Sequence, residues 1–251
     1  MPDMISLIEA SMLTDIRRLD VISNNLANAS TPGFKRDIAI TQAFGEMLSN
    51  QMQLGGAGSA FPNPSEIMDS VNTRYTDHSP GSLRPTGNAL DVAIEGDGFL
   101  VLQGPDGPLY SRSGALSLDD SGRLTGSNGF PVLGNEGEIR LTAVDPRIDA
   151  EGTIFEDDER IGSLRLERFE HPEHLRKIGN GLYEAGDQLA VGFDGHTRVS
   201  VRQGYLETSN VSTLPEMVLL IELMRRLEAN QKVVSSYDEM LGQSLQTIGD
   251  L

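Results

Sequence analysis

The chain has 251 residues, 38% of them hydrophobic, with no cysteine and no tryptophan, and a formal net charge of −17. That length supports one large domain or two modest ones with a sizeable core, expected to be aliphatic, and the missing cysteines exclude disulfides and thiolate-ligated metals while leaving the compartment open. Residues 1–36 carry four basic and four acidic groups and residues 210–251 three basic and six acidic, so −14 of the charge falls in the middle. An acidic middle without basic clusters excludes nucleic acid and anionic lipid as partners and predicts a solvated surface.

The N-terminus, MPDMISLIEA, lacks a basic start and places Asp3 and Glu9 among its apolar residues. No secretory signal is therefore expected. Ile5, Ile8, Met12, Ile16, Leu19, Ile22 and Leu26 follow at intervals of three or four, which predicts one apolar stripe on a helix of about six turns. The stripe runs into NNLANASTPGFKR at 24–36. Asparagine, serine and threonine compete for backbone hydrogen bonds, Pro32 presets a turn and Gly33 suits a positive φ, so the helix stops here and the chain is redirected. Residues 36–87 then read as an extended linker rich in Gly, Ser, Pro and Asn, clearest in GGAGSAFPNPS at 55–65, with Phe44, Met47 and Leu48 hinting at a short helix.

Between 88 and 207 the pattern changes to short apolar runs cut by Gly, Asp and Asn: DVAIE, GFLVLQ, PLYSRS, GRLTG, EIRLTAV, SLRLERF and TRVSVRQ. This rhythm predicts an antiparallel meander or small barrel with tight turns at Asp120-Ser121-Gly122 and Asn128-Gly129. From 208 the chain returns to helix. Thr213 and Glu216 form a capping box, with Pro215 in the first turn. Leu220, Leu227, Val234, Leu241 and Ile248 recur every seven residues, with Leu223, Asn230, Tyr237 and Ser244 as companions, and Gly249 is the stop. Such a helix is roughly 50 Å long, and one apolar stripe cannot offset the entropy of ordering it without a partner. The N-terminal stripe is the obvious one. The expected fold is α+β: a discontinuous coiled-coil domain of the two terminal helices, 1–35 and 208–251, with an antiparallel β-rich domain inserted.

Catalytic motifs are weak. Gly96-Asp97-Gly98 precedes a strand and reads as a β turn. His171 and His174 lack a third ligand, and Pro172 spoils the helix between them. Glu156 to Glu159 lacks the spacing of a calcium loop. Asp91, Glu95 and Asp97 are the only close carboxylates that a secreted β-rich enzyme could use. No cofactor and no metal site are expected; a free coiled-coil scaffold is the other alternative.

NNLANASTPGFKR closely resembles the N-terminal motif of the bacterial flagellar rod and hook proteins. NALDVAIEGDGFLVL at 88–102, YSRSGALSLDDSGRLTGSNGFPVLG at 110–134 and VRQGYLETSNVSTLPEMVLLIELMRRLEANQKVVSSYDEML at 201–241 match in the family's order. Within that family the length resembles the rod proteins and is short for a hook protein, while the helix text at 217–241 and the absence of the distal rod's long insertion at 45–80 resemble the proximal rod component more than the distal one. The resemblance implies a non-enzymatic subunit of a tubular axle in the flagellar basal body. It further implies export through the flagellar type III apparatus without a cleaved signal, polymerisation in the periplasm, and partners that are other rod proteins and copies of itself, with no nucleic acid and no membrane insertion. It makes Asn24, Asn25, Leu26, Asn28, Thr31, Pro32, Gly33, Phe34 and Lys35 an assembly motif. In it the asparagines would bond the helix end, Phe34 would plug apolar surface, and Lys35 and Arg36 would meet a neighbour's carboxylates.

Overall fold

The structure, a computed structural model, describes residues 2–39, 74–142, 145–186, 188–191 and 199–249. The expected short helix at Phe44, Met47 and Leu48 and the linker at 55–65 lie outside the described residues. The chain forms two compact units: residues 1–27, 37–76 and 212–251, and residues 28–36 with 77–211.

In the first unit, α1 (Pro2–Ala27) packs on α2 (Thr213–Gly249), and a two-stranded antiparallel ribbon pairs Asp37–Ala39 with Arg74–Thr76. On α2 the partly or fully buried positions are Glu216, Leu220, Leu223, Leu227, Asn230, Val234 and Tyr237, and the residues between them are exposed. On α1, Val21 and Ile22 are buried and Ile8, Met12, Leu19 and Leu26 half-buried. Ile16 departs from the expected stripe: it is 44% exposed, while its neighbour Asp15 is 2% exposed. The reason is a partner, since Asp15 Oδ1 lies 3.6 Å from Arg226 Nη1 on α2. Helix α2 also begins one residue ahead of the expected box: Thr213 is already helical, and the Glu216 amide donates to the carbonyl of Ser212 at 3.4 Å. The side chains of Ile5, Leu241 and Ile248 are outside the described set.

The second unit is neither a single meander nor a barrel but a set of small antiparallel sheets. Its largest has five strands in the order Leu166–Glu167, Phe99–Gln103, Pro108–Ser111, Leu182–Glu184 and Arg176–Gly179. Beside it stand a three-stranded sheet over 147–163 and the pairs Val92–Glu95 with Ser200–Gln203, Leu83–Pro85 with Tyr205–Glu207, and Leu116–Leu118 with Leu124–Gly126. Among its described residues, 138–142, EIRLTAV contributes Glu138 to a two-residue strand and Arg140 to an isolated bridge. Glycine-closed turns end the runs: the Gly122 amide donates to Asp119 O at 2.9 Å, and that of Gly129 to Gly126 O at 2.9 Å. Each of these glycines has a positive φ.

Alternation along the strands sends side chains to two cores. The larger is aliphatic, built on Val92, Ile94, Leu100, Leu102, Leu124 and Ile154. The smaller is aromatic, against the expectation of an aliphatic interior: Phe99, Tyr110, Phe169 and Tyr183 meet edge to face, with Phe169 4.8 Å from Tyr110 between ring centroids. Burial, and then a hydrogen bond with Glu167, push the Tyr110 hydroxyl up to about 12.

Candidate functional site

The helix-ending motif is shared between the two units, its first asparagines in one and its Thr-Pro-Gly-Phe-Lys run in the other. In the first unit Asn25 is buried. Its amide spans the backbone of Asp37, Nδ2 donating to the carbonyl at 2.8 Å and Oδ1 accepting from the amide at 2.9 Å. A side chain thereby supplies the two bonds of a β bridge and starts the ribbon, which Thr76 Oγ1 extends by donating to Asp37 Oδ1 at 2.9 Å. Asn25 thus bonds backbone twelve residues on, not the helix end. Asn24 is exposed and Leu26 half-buried.

In the second unit a turn forms in which the Thr31 amide donates to Asn28 O at 3.0 Å, Thr31 Oγ1 to Asn28 Oδ1 at 3.3 Å, and the Phe34 amide to Thr31 O at 3.3 Å. Half-buried Pro32 leads into Gly33, whose φ is +67°. The Gly33 amide donates to Glu207 O at 2.8 Å, and a Cβ there would lie 2.5–2.7 Å from the backbone of Arg112 and Ser113. Only glycine fits both the torsion and the approach. Phe34 is buried, with Lys177 Nζ 3.8 Å above its ring centroid. The same ammonium donates to Lys35 O at 2.8 Å. Asn210 adds further bonds, accepting the Arg36 amide at 2.7 Å and donating to Asp77 O at 2.8 Å and Ser79 O at 3.2 Å.

Lys35 does not reach outward to a neighbour. It is 1% exposed, and Nζ donates to Glu207 Oε1 at 2.6 Å and to Ser79 O at 2.8 Å. Glu207, also buried, accepts from the Gly81 amide at 2.8 Å and takes Arg112 on its other oxygen, Nη2 at 3.0 Å and Nε at 3.1 Å. Arg112 spends its remaining donors on the carbonyls of Gly96, Gly98 and Ile94. One carboxylate therefore serves two buried cations; all five Arg112 donors and two of the three on Lys35 meet acceptors, the pairing that lets ions tolerate burial. Burial holds the Lys35 ammonium below its ordinary range, with Glu207 opposing the shift and Arg112 adding to it.

His78 stands beside this cluster, its ring 5.3 Å from that of Tyr183 and 5.7 Å from that of Phe99. Burial pushes its pKa down to about 4, and the charges of Lys35, Arg112 and Lys177 push the same way against Asp77. Because the unfolded chain protonates this histidine near 6.5 and the fold does not until about 4, the unfolded state binds more protons between those values. Stability from neutral His78 is complete above pH 6.5 and is lost as pH falls towards 4. Urea midpoints taken across that window should fall by the equivalent of about 2 kcal/mol more in the parent chain than in His78→Leu; parallel pH profiles would contradict this.

Sequence alone gave no sign of Glu207, Arg112, Lys177 or Asn210 as partners of the motif. The only signal was that Arg112, Glu207 and Asn210 lie in the other blocks carrying the family resemblance.

The candidate chemistry elsewhere stays dispersed. Gly96 has a positive φ and closes a turn. The rings of His171 and His174 are 5.4 Å apart, with His171 Nδ1 3.1 Å from Glu173. Asp157 and Asp158 form a hairpin turn with positive φ. Asp91 bonds Asn88, and Glu95 bonds Ser200 and pairs with Arg202. Among the described residues no three acidic or histidine side chains could share a metal ion, and no helix is long and apolar enough to cross a membrane.

Three family models match the chain: "Flagella basal body rod protein" over residues 12–35, "Flagellar hook protein FlgE/F/G D1 domain" over 93–156, and "Flagellar basal body rod FlgEFG protein C-terminal" over 202–247. The first ends on Lys35, and the third contains Glu207 and Asn210. The flagellar basal-body rod protein FlgG of Buchnera aphidicola subsp. Acyrthosiphon pisum is 34% identical over 89% of this chain and 91% of its own length. That of Bacillus subtilis is 33% identical over 89% and 90%. The rod protein FlgF of Mesorhizobium japonicum is 31% identical over 93% and 92%. Identities this close do not separate the two names. Matches along nearly the whole length, on the segments that supply both helices and the clamp of Lys35 and Arg112 on Glu207, establish that this chain belongs to the flagellar basal-body rod protein family, as a structural subunit and not an enzyme.

Proposed function

We propose that the subunit polymerises through its two terminal helices into the tubular rod, beside other rod proteins and copies of itself, where it transmits torque and conducts export substrates. The observation that carries this is a second apolar face on α2. Leu214, Met217, Val218, Ile221 and Met224 are exposed, Leu214 to 72%, although Leu220, Leu223 and Leu227 already form the face turned to α1. A monomer gains nothing from such a face in water. Covering it is worth about 1 kcal/mol for each half-exposed side chain, a gain repeated at every subunit of a polymer. Two helices that act as a coiled-coil domain would present it along one side.

The clamp around Glu207 has a different part, since it fixes the motif within its own chain instead of offering it to a neighbour. We read the helix text of residues 217–241 as nearer to the proximal rod protein FlgF than to the distal one.

Exchange of Ile221 for Asp tests the reading. The side chain is half exposed in the free subunit, so thermal unfolding should change little, while motility and incorporation into rods are lost. Normal swimming by Ile221→Asp cells would remove the exposed face as an interface.

A further inference from the structure

We propose that the ion pair between Asp15 and Arg226 is a specificity-determining contact: it selects which face of α2 the helix α1 packs on, and in which register. Asp15 occupies the place in the α1 stripe between Met12 and Leu19, where an apolar side chain would pack best. It is 2% exposed, Oδ1 lies 3.6 Å from Arg226 Nη1, and Oδ2 is buried without a hydrogen-bond partner. Arg226 reaches it from the edge of α2, half exposed, its other nitrogen 3.6 Å from Glu222 Oε1. A carboxylate in such a seam is poorly repaid and is tolerated only where a cation meets it. The need for selection arises because α2 carries two apolar faces. Leu220, Leu223 and Leu227 form one, and Leu214, Met217, Val218, Ile221 and Met224 form the other. Hydrophobicity alone does not tell α1 which to cover. Packing on the wrong face, or a slide of one turn of about 5.4 Å, takes Asp15 away from Arg226 and buries it alone. This is the use of a polar seam residue for register seen in coiled coils. Keeping the second face clear for a neighbouring copy is a consequence that rests on the polymerisation reading; the choice of face does not.

Because the chain has no cysteine, spin labels can be placed at the exposed positions Ser23 and Ser235 of the full-length protein, with distances measured by pulsed dipolar spectroscopy on dilute monomer. The labelled parent should give one narrow distribution. Asp15→Leu, which adds apolar seam and so keeps the helices folded, should broaden it at least twofold or add a second distance, and Arg226→Met should do the same. Arg226→Lys, which retains the charge, should stay narrow. An unchanged distribution in Asp15→Leu, or one in Arg226→Lys as broad as in Arg226→Met, would overturn the proposal. Monomer distances do not depend on assembly, so they separate this inference from the fate of Ile221→Asp.

Discussion

Replacing Glu207 with Ala should destabilise the second unit by about 3–5 kcal/mol, because two buried cations lose their common counter-ion at once. Lys35 and Arg112 are held 2.6 and 3.0 Å from its two oxygens, and the Gly81 amide loses its acceptor as well. Exchange of Lys35 for Met removes only one of the two cations and leaves Glu207 paired with Arg112, so it should cost about 1–2 kcal/mol. The order matters more than either value. Urea unfolding followed by a probe in the aromatic core gives both, and the double variant should cost less than the sum, since Lys35→Met relieves part of the charge that Glu207→Ala strands. Equal losses from the two single variants would mean that the carboxylate is not the hub.

The second large effect is expected at Gly33. Alanine there meets two penalties, a left-handed torsion at φ +67° and a Cβ 2.5–2.7 Å from the backbone of residues 112 and 113. The torsion alone costs about 1–2 kcal/mol. The overlap is with backbone and cannot be relieved by turning a side chain, so the motif must lift from the strands it bonds, taking the Glu207 carbonyl contact and Lys35 with it. A total loss of about 3 kcal/mol or more is expected by the standards of core overpacking. Gly87 supplies the control, with φ +74° and nothing within 4 Å of a Cβ. Gly87→Ala should show the torsional cost alone. If both alanine variants unfold at the same denaturant concentration, the close approach at Gly33 carries no weight.

The parts legible from sequence were those written in local periodicity. The two helices announce themselves through spacings of three, four and seven, and most short strands through runs bounded by glycine and asparagine. The motif was located by its composition. What it touches was not, because Lys35 and Glu207 are 172 residues apart and one sequence does not state which distant side chains meet. A lysine next to an arginine at the end of a turn has the look of solvent-facing charge, and only the fold reveals that it points inward. The choice between residues 15 and 16 failed for a related reason. Both satisfy a spacing of three or four after Met12, and hydrophobicity favours Ile16, but Arg226 decides for Asp15. The aromatic core was hidden by dispersal: Phe99, Tyr110, Phe169 and Tyr183 are isolated in sequence and converge through strand pairing.

Cysteine scanning in assembled basal bodies tests the central claim most directly, in a chain that has no cysteine of its own. Ile221→Cys on the exposed face should link to a neighbouring subunit under mild oxidation or a short bifunctional reagent. Leu223→Cys, on the face turned to α1, and Lys35→Cys, within the clamp, should give no cross-linked dimers. Inter-subunit products at Lys35 with none at Ile221 would contradict the account, returning the motif to the subunit interface and leaving the second face of α2 without a role.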